Sequence, residues 1–399
     1  MLTALLFWAV YNALLLFAGI RGKHEFHRVS IHEFPRISLI VPVKDEGAVI
    51  AKCLDALLSI DYPKEKMEII VVDGDSKDST KEICDDFSRK DKVIKVLCER
   101  TPNGKPAALN LALPHVTGEI VGVFDADSVP ERNVLQRIAS YFQDKSVTAV
   151  QGKTISLNPR QNMLTRMASM EERLWFEGTI SGKKKLGLFV PLTGSCAFIR
   201  SCVLKEVGGW EEPSLAEDVE LALKLIEKGH SVRYAPDVCS KQETPGSLNE
   251  LTKQRTRWYR GYMDASFKYG TLLRKPSRKS LDAELSLMGP FMMIVGLLGY
   301  VNWGFNLLFP PDTSLLVVSS VLAIALITVT LLSIGLSAFL IMRPTKLNLF
   351  WIPFINLYWF VLMTIASKAF LLTILRRPKK WTKTAKKGIV TPDQQLKLD

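Results

Sequence analysis

Four long apolar runs constrain this chain more than any other feature of its sequence. The run Leu2–Ile20 contains no charged side chain, and three further runs lie at about 285–308, 314–342 and 349–375. Each run is long enough to cross the ~30 Å hydrocarbon core of a bilayer as a helix. The residues between the first run and the other three are polar and numerous enough to form a separate domain. The sequence therefore predicts a multi-pass membrane protein with a large domain outside the bilayer.

Basic residues beside the apolar runs predict the orientation of the chain. Arg21, Lys23 and Arg28 follow the first run and only Met1 precedes it, a pattern typical of a retained anchor rather than a cleaved signal peptide. Because basic flanks stay in the cytosol, we expect a cell-membrane protein whose polar domain is cytosolic. The basic tail 376–399 conflicts with this rule if the last run is a simple span. A shorter span, a re-entrant segment and an interfacial segment therefore all stay open for that run.

The charge balance points to a membrane surface rather than to nucleic acid. Lys and Arg number 52 and Asp and Glu 40, which gives a formal net charge of +12. Part of this excess lies beside the apolar runs, which favours contact with the lipid bilayer. The sequence contains no zinc-ligand spacing and no RNA-binding or helix-turn-helix motif, so no nucleic acid is expected as a partner. Dinucleotide-binding and P-loop glycine motifs are absent as well.

The polar residues between the membrane runs alternate strand-like and helix-like patterns. Ile37–Val43, Met67–Asp73 and Glu119–Asp127 are short runs rich in β-branched residues, with helical patterns at Val49–Ile60 and Ser79–Lys90 between them. This alternation predicts an α/β domain with a parallel sheet that binds ligands at the carboxyl ends of its strands. The predicted organisation is an anchor at 1–21, the α/β domain at 36–261, an interfacial segment at 262–284, about three membrane helices at 285–375 and a basic tail at 376–399.

Three clusters of polar residues carry potential chemistry. Asp125 and Asp127 follow a buried strand and could approach one divalent cation, although acidic turns of this kind are common. Glu217 and Asp218 open a helical pattern, where a carboxylate acts either as a general base or as a complement to the helix dipole. The segment Gln254–Trp258 could clamp a diphosphate and stack on a sugar, or form a basic interfacial helix with a Trp anchor.

Seven short motifs occur in a fixed order along the chain. They are Pro42–Glu46 (P-x-x-[DN]-E), Val72–Asp78 (VVD-x-x-S-x-D), Asn103–Asn110 (GK-x-x-ALN), Asp125–Asp127 (DxD), Thr193–Arg200 with Gly208–Trp210, Glu217-Asp218 (ED), and Gln254–Trp258 (Q-x-x-R-W). In this order they resemble the motifs of membrane-embedded family 2 glycosyltransferases, the group that includes hyaluronan, chitin and cellulose synthases. The tail segment Trp381–Thr384 is similar to the W-x-K-T ending of many such enzymes. Ala216 departs from the pattern, because many relatives carry Thr before the ED pair.

The resemblance implies a GT-A fold with a mixed or parallel sheet, and an inverting hexosyltransferase that uses a nucleotide-diphospho-sugar, with a UDP-sugar expected. Mg²⁺ or Mn²⁺ is the implied cofactor, held by Asp127. Asp218 would be the catalytic base and Asp73 would bind the nucleotide base. The nucleotide-sugar would also contact Pro42, Glu46, Asp75, Lys105, Asp125, Gln254, Arg257 and Trp258. The acceptor would contact Gly194, Glu217 and Trp258.

Two acceptors fit the resemblance. The first is a growing glycan, so that the enzyme makes a polysaccharide with β-linked sugars, and the Q-x-x-R-W motif favours it. The second is a lipid such as a polyprenyl phosphate or a ceramide-like lipid, and the small number of membrane runs favours it. A transporter or scaffold that binds nucleotide-sugars without chemistry is a further class, which the intact carboxylates Asp127 and Asp218 argue against. The identity of the sugar and the oligomeric state are not fixed by these patterns.

Overall fold

The structure, a computed structural model, describes residues 1–21, 33–270, 276–309, 314–341, 346–379, 383–386 and 388. Lys23, Arg28 and Trp381, which were used in the predictions above, lie outside the described residues. The chain divides into two units. The helical unit comprises Met1–Lys23, Met167–Phe189 and Ser247–Lys383, and the sheet unit comprises His24–Arg166, Val190–Gly246 and Thr384–Asp399.

The described residues of the sheet unit form eight strands, in the spatial order β3-β2-β1-β4-β7-β6-β8-β5. Strands β3, β2, β1 and β4 are parallel, whereas β7 pairs antiparallel with both β4 and β6. The predicted α/β fold with a mixed or parallel sheet is therefore confirmed. The strands are β1 Ile37–Val43, β2 Met67–Asp73, β3 Ile94–Cys98, β4 Ile120–Val123, β5 Val129–Pro130, β6 Ala149–Ser156, β7 Ala197–Arg200 and β8 Val232–Gln242.

The helices cover this sheet or form the helical unit. They are α1 Leu2–Ile20, α2 Ile50–Leu58, α3 Thr80–Lys90, α4 Lys105–Ala112, α5 Val134–Phe142, α6 Met163–Arg173, α7 Ser181–Lys185, α8 Ser201–Glu206, α9 Glu217–Glu227, α10 Leu248–Tyr269, α11 Arg278–Leu287, α12 Gly289–Leu308, α13 Ser314–Ile341 and α14 Lys346–Ile374. A π-helical stretch, Leu174–Ile180, joins α6 to α7, and short 3₁₀ turns lie at Lys64–Lys66 and Leu113–His115.

The central strands have nearly continuous apolar sequences because they are buried. Every residue of β2 is buried, and in β1 only Pro42 is partly exposed, as expected for strands covered by helices on both faces. The predicted run Glu119–Asp127 is shorter in the structure, because β4 ends at Val123. The chain turns at once after the strand, where the Ser128 amide donates to the Asp125 carbonyl at 2.9 Å. This turn places the DxD residues at the carboxyl edge of the sheet.

In the helical unit, α1, α12, α13 and α14 contain segments long and apolar enough to cross a membrane, which agrees with the four runs in the sequence. Helices α12 and α13 pack against each other, with Asn302 Nδ2 donating to Ser320 Oγ at 3.0 Å. Helix α1 packs closely on the π-helical stretch. A Cβ on Gly19 would lie 2.1 Å from the Gly178 carbonyl oxygen, so this contact requires glycine.

Candidate active site

Lys105 connects several acidic side chains at the carboxyl edge of the sheet. Its Nζ donates to Asp125 Oδ1 at 2.6 Å and to the Gly194 carbonyl at 2.8 Å, and lies 3.6 Å from Glu217 Oε1. Burial of Lys105 opposes its charge, but the attraction of Asp125, Glu217 and Asp218 raises its pKa above the ordinary value. Lys105 is therefore a permanently charged centre in this acidic cluster.

Helix α4 positions Lys105 and also the loop that precedes α9. Lys105 is the first residue of α4 and follows Gly104, which has φ +87°. Further along the same helix, Asn110 Nδ2 donates to the Trp210 carbonyl at 2.8 Å and to Glu212 Oε1 at 2.6 Å, and its Oδ1 accepts from the Trp210 amide. Asn110 ends one of the sequence motifs, but no role for it follows from the sequence. The structure shows that it ties two motifs together.

Glu217 and Asp218 form the first turn of α9, as the helical pattern predicted. Glu217 is only 3% exposed, and its Oε2 is buried without a hydrogen-bond partner among the described residues. Gly194 has φ +75°, and a Cβ there would lie 3.1 Å from Asp218 Oδ2 and 3.2 Å from Lys105 Nζ. A glycine is therefore needed for this loop to approach both side chains.

Asp127 is paired with a lysine from the C-terminal tail. Its Oδ2 lies 2.5 Å from Lys386 Nζ and accepts from the Glu243 amide at 2.9 Å. Lys386 also donates to the Glu243 carbonyl at 2.7 Å. Burial opposes the charge of Lys386, but the attraction of Asp127 raises its pKa. Nothing in the sequence of the basic tail marks Lys386 as the partner of Asp127.

Asp127 and Asp125 are the carboxylates after β4 that could approach a divalent cation. Asp127 Oδ2 already binds one cation, the Lys386 ammonium, and Asp125 lies two residues away. The described residues contain no cluster of three or more His, Cys, Asp and Glu side chains suited to a metal. Mg²⁺ is commonly bound by one or two carboxylates plus substrate phosphates and water. The protein could thus supply one or two ligands and a donor diphosphate the others.

Four of the residues predicted to bind the nucleotide lie at the ends of two neighbouring strands and in the loops that follow them. Pro42 and Asp73 lie near the ends of the neighbouring strands β1 and β2. The Glu46 amide donates to Thr80 Oγ1 at 2.6 Å, which connects the loop after β1 to the start of α3. Asp73 is buried, and its Oδ1 has no hydrogen-bond partner among the described residues. Asp75 is exposed and pairs with Lys77 at 2.7 Å.

Gln254, Arg257 and Trp258 lie on α10, in the helical unit. Their i, i+3, i+4 spacing places them on one face of the helix, and all three are partly exposed. Ser247 caps the helix by accepting from the Glu250 amide. Near the other end, Arg260 Nη2 donates to the Arg377 carbonyl at 2.6 Å, just beyond α14.

Comparison with known proteins identifies the family of the chain. Residues 35–261 match the family described as glycosyltransferase like family 2. A probable glycosyltransferase, YdaM of Bacillus subtilis, is 30% identical over 292 residues, which cover 70% of each chain. The beta-monoglucosyldiacylglycerol synthase of Trichormus variabilis is 30% identical over 65% of this chain, but the match spans only 56% of that enzyme.

A solved structure shares the fold at low sequence identity. The mannosyltransferase PcManGT from Pyrobaculum calidifontis, in complex with GDP-Man and Mn²⁺, has a TM-score of 0.63 and 20% identity, and covers 95% of this chain and 100% of its own. The GT-A fold implied by the motifs is thereby confirmed. With its family match over more than half of the sequence, the chain belongs to glycosyltransferase family 2.

Proposed function

We propose that this glycosyltransferase transfers a sugar from a nucleotide diphosphate to an acceptor and inverts the configuration at the anomeric carbon. The observation that carries the proposal is the cluster in which Asp125, Glu217 and Asp218 lie near the Lys105 ammonium. Asp218 is the proposed base and takes the proton of the acceptor hydroxyl as its oxygen attacks the anomeric carbon. The bond to the diphosphate breaks in the same displacement, so a single base is sufficient.

Positive charge would stabilise the departing diphosphate. Lys105 is the proposed cationic side chain, because its charge is fixed and it lies at the carboxyl edge of the sheet. A Mg²⁺ or Mn²⁺ ion held by Asp127, with Asp125 beside the donor, would neutralise the charge that develops on the leaving group. The Mn²⁺ in the PcManGT complex supports this choice of cofactor.

Asp73 is the proposed ligand of the nucleotide base. Its buried Oδ1 lacks a hydrogen-bond partner among the described residues, and a buried acceptor of this kind is costly unless a ligand satisfies it. Pro42, Glu46 and Asp75 are proposed to line the same site. A carboxylate accepts the ring N–H of uracil and that of guanine equally well. We expect a UDP-sugar first, and a GDP-sugar is the other donor to test because the PcManGT complex contains GDP-Man.

The roles of the residues on α10 are proposed from the motif. Gln254 and Arg257 would hold the donor diphosphate, and Trp258 would contact the acceptor, together with Gly194 and Glu217. Their shared helix face supports a common ligand. Guanidinium groups suit phosphates, and indole rings suit the apolar faces of sugars and lipids.

We propose a membrane lipid as the acceptor. Four helices of the described residues are long and apolar enough to cross a membrane, counting α1, which offers few helices to line a polymer channel within one chain. The name of the Trichormus relative, a synthase of a glucosylated lipid, also supports a lipid. A growing polysaccharide is the second candidate, favoured by the Q-x-x-R-W motif. In both cases the proposed location is the cell membrane, with several spans and the sheet unit in the cytosol.

A product assay tests the proposal. The full chain in lipid nanodiscs with Mn²⁺ is given radiolabelled UDP- and GDP-sugars, with and without added lipid acceptors, and the products are separated by organic extraction and gel. One organic-soluble glycolipid that requires the lipid acceptor is the expected result. A high-mass, water-soluble product that a linkage-specific glycosidase cuts would favour the second candidate. Absence of any transfer from all donors would overturn the proposal.

A further inference from the structure

Arg255 lies inside the Q-x-x-R-W segment at a position to which the motif gives no role. Its Cζ lies 4.5 Å from the centroid of the Trp258 ring, three residues further along α10. A guanidinium over an indole face is an attractive cation–π contact. One face of Trp258 is therefore occupied by the protein itself, so a ligand that stacks on this ring would have to use the other face.

Arg255 is in turn fixed by two other helices. Its Nη2 donates to Glu171 Oε2 at 2.6 Å, and Tyr358 Oη donates to the same oxygen at 2.5 Å. Glu171 belongs to α6 and Tyr358 to α14, so one carboxylate oxygen joins three helices of the helical unit. The side chains of Arg255 and Glu171 are 13% and 16% exposed. Hydrogen bonds between buried charged groups are strong and directional.

We propose that Glu171 and Tyr358 are positioning residues, which act through Arg255 to hold the Trp258 indole in the orientation that receives the acceptor. The Arg255 guanidinium is engaged by Glu171 and by the indole, so we give it a positioning role. The proposed ligand of the diphosphate is Arg257. The inference rests on the proposed function, since the ligand of Trp258 is the acceptor of the transfer reaction.

Steady-state kinetics of single and double variants test this role. Glu171→Gln removes the charge and keeps the size, and Arg255→Lys keeps the charge and removes the planar group. We expect Glu171→Gln to raise the acceptor KM about tenfold and to leave the donor KM within about twofold. The acceptor KM of the double variant should be no higher than that of Arg255→Lys alone, because both changes disrupt the same contact between Glu171 and Arg255. Equal changes in the donor KM and the acceptor KM of Glu171→Gln would overturn the inference. So would effects of the two substitutions on the acceptor KM that add in the double variant.

Two further variants calibrate the kinetics. Tyr358→Phe removes only one of the two hydrogen bonds to Glu171, so we expect a smaller rise in the acceptor KM than in Glu171→Gln. Glu250→Gln is the matched control, because it breaks an ion pair with Lys253 (2.8 Å) on the same helix without touching Trp258. This control should leave both KM values unchanged, and a rise in its acceptor KM equal to that of Glu171→Gln would contradict the assignment.

A spectroscopic measurement tests the contact without relying on turnover. In protein labelled with 5-fluorotryptophan, the ¹⁹F resonance of Trp258 is assigned by its loss in Trp258→Phe. We expect it to shift in Glu171→Gln and in Arg255→Lys, and to stay in place in Glu250→Gln. An unshifted resonance in Glu171→Gln would overturn the inference and leave the proposed function standing. A shifted resonance in a chain that transfers no sugar would overturn the proposed function alone.

Discussion

Lys386 Nζ lies 2.5 Å from Asp127 Oδ2, so the second carboxylate of the DxD motif carries an ion pair with a residue 259 positions further along the chain. The two side chains are 14% and 5% exposed. At this depth the attraction between opposite charges is only weakly screened by water. A divalent cation at Asp127 must therefore compete with the Lys386 ammonium.

Removing this ammonium should strengthen metal binding. We predict that Lys386→Met lowers the Kd for Mn²⁺ in the absence of donor by about tenfold, equivalent to about 1.4 kcal/mol. Titration of Mn²⁺ followed by electron paramagnetic resonance measures this change. Lys92→Met is the control, because Lys92 is an exposed lysine of the sheet unit and its loss changes the net charge equally. Equal Mn²⁺ affinity in the two variants would contradict the competition.

The same contact bears on the topology of the C-terminal helices. The chain leaves the sheet unit after Gly246 and returns to it at Thr384. If the helical unit crosses a bilayer, as we propose, the folded sheet unit lies on one side of it and the chain between these points crosses the membrane an even number of times. Among the described residues of this interval, three helices contain candidate spans, namely α12, α13 and α14. Tyr358, in the middle of α14, bonds the Glu171 carboxylate, so we predict that α14 is interfacial or re-entrant.

Cysteine labelling checks this topology. Cys98 and Cys202 are exposed in the sheet unit and report which side that unit occupies. We predict that a cysteine at the exposed position Leu375, made by Leu375→Cys, reacts with a membrane-impermeant maleimide in the same vesicle orientation as Cys98. Labelling of this cysteine only in vesicles of the opposite orientation would show that α14 crosses the bilayer.

Replacement of Gly194 should lower activity for a steric reason. In Gly194→Ala the new Cβ would lie 3.1 Å from Asp218 Oδ2 and 3.2 Å from Lys105 Nζ. We predict that kcat falls by at least about tenfold, or about 1.4 kcal/mol in the barrier. Gly229→Ala is the matched control, because Gly229 has φ +83° and open space around it. Both variants carry similar backbone strain, so a similar loss of kcat in both would contradict the steric explanation.

Glu68 should make the stability of the sheet unit depend on pH. Burial opposes its charge, but hydrogen bonds from Lys95, Ser38 and Thr117 lower its pKa from 4.5 to about 2. A lowered pKa stabilises the folded state above pH 4.5, and this contribution is lost as the pH falls toward 2. The full contribution of the Glu68 charge to the free energy of unfolding is about 3 kcal/mol, at 1.36 kcal/mol for each pKa unit.

The comparison of wild type with Glu68→Gln measures this contribution. We predict that the wild type has the higher Tm at pH 7 and that the difference between the two proteins narrows at pH 3. The side chain of Glu68 is 3% exposed, so screening by solvent should change the result little. A Tm difference that is the same at both pH values would show that the Glu68 charge contributes nothing.

The central strands and the long apolar helices could be predicted because the sequence patterns that indicate them are local. Strands β1 and β2 are buried on both faces and read as apolar runs, and α12 and α13 are apolar along their length. The antiparallel β7 was not predicted, because its four residues, Ala197–Arg200, are too few to show an alternating pattern. The motif order led to the family, and with it to the expected fold.

Contacts between distant residues could not be predicted from the sequence. Lys386 is one of several basic residues in the tail, and nothing in their spacing marks it as the partner of Asp127. The Glu171, Arg255 and Tyr358 contact was missed for the same reason, because it joins residues of three helices. A role for Asn110 could have been expected, because it ends a recognised motif. Only the structure shows that it hydrogen-bonds the loop before the ED pair.

The most direct test of the account is the activity of Asp218→Asn beside Asp55→Asn, an exposed carboxylate on α2 that serves as the control. Removal of a general base lowers the rate by about 10²–10⁴-fold, so we predict at least a 100-fold loss of kcat with nucleotide affinity within about twofold of wild type. The control should behave as wild type. An Asp218→Asn enzyme that keeps its kcat, or that loses activity only because it no longer binds the nucleotide, would contradict the assignment of Asp218 as the catalytic base.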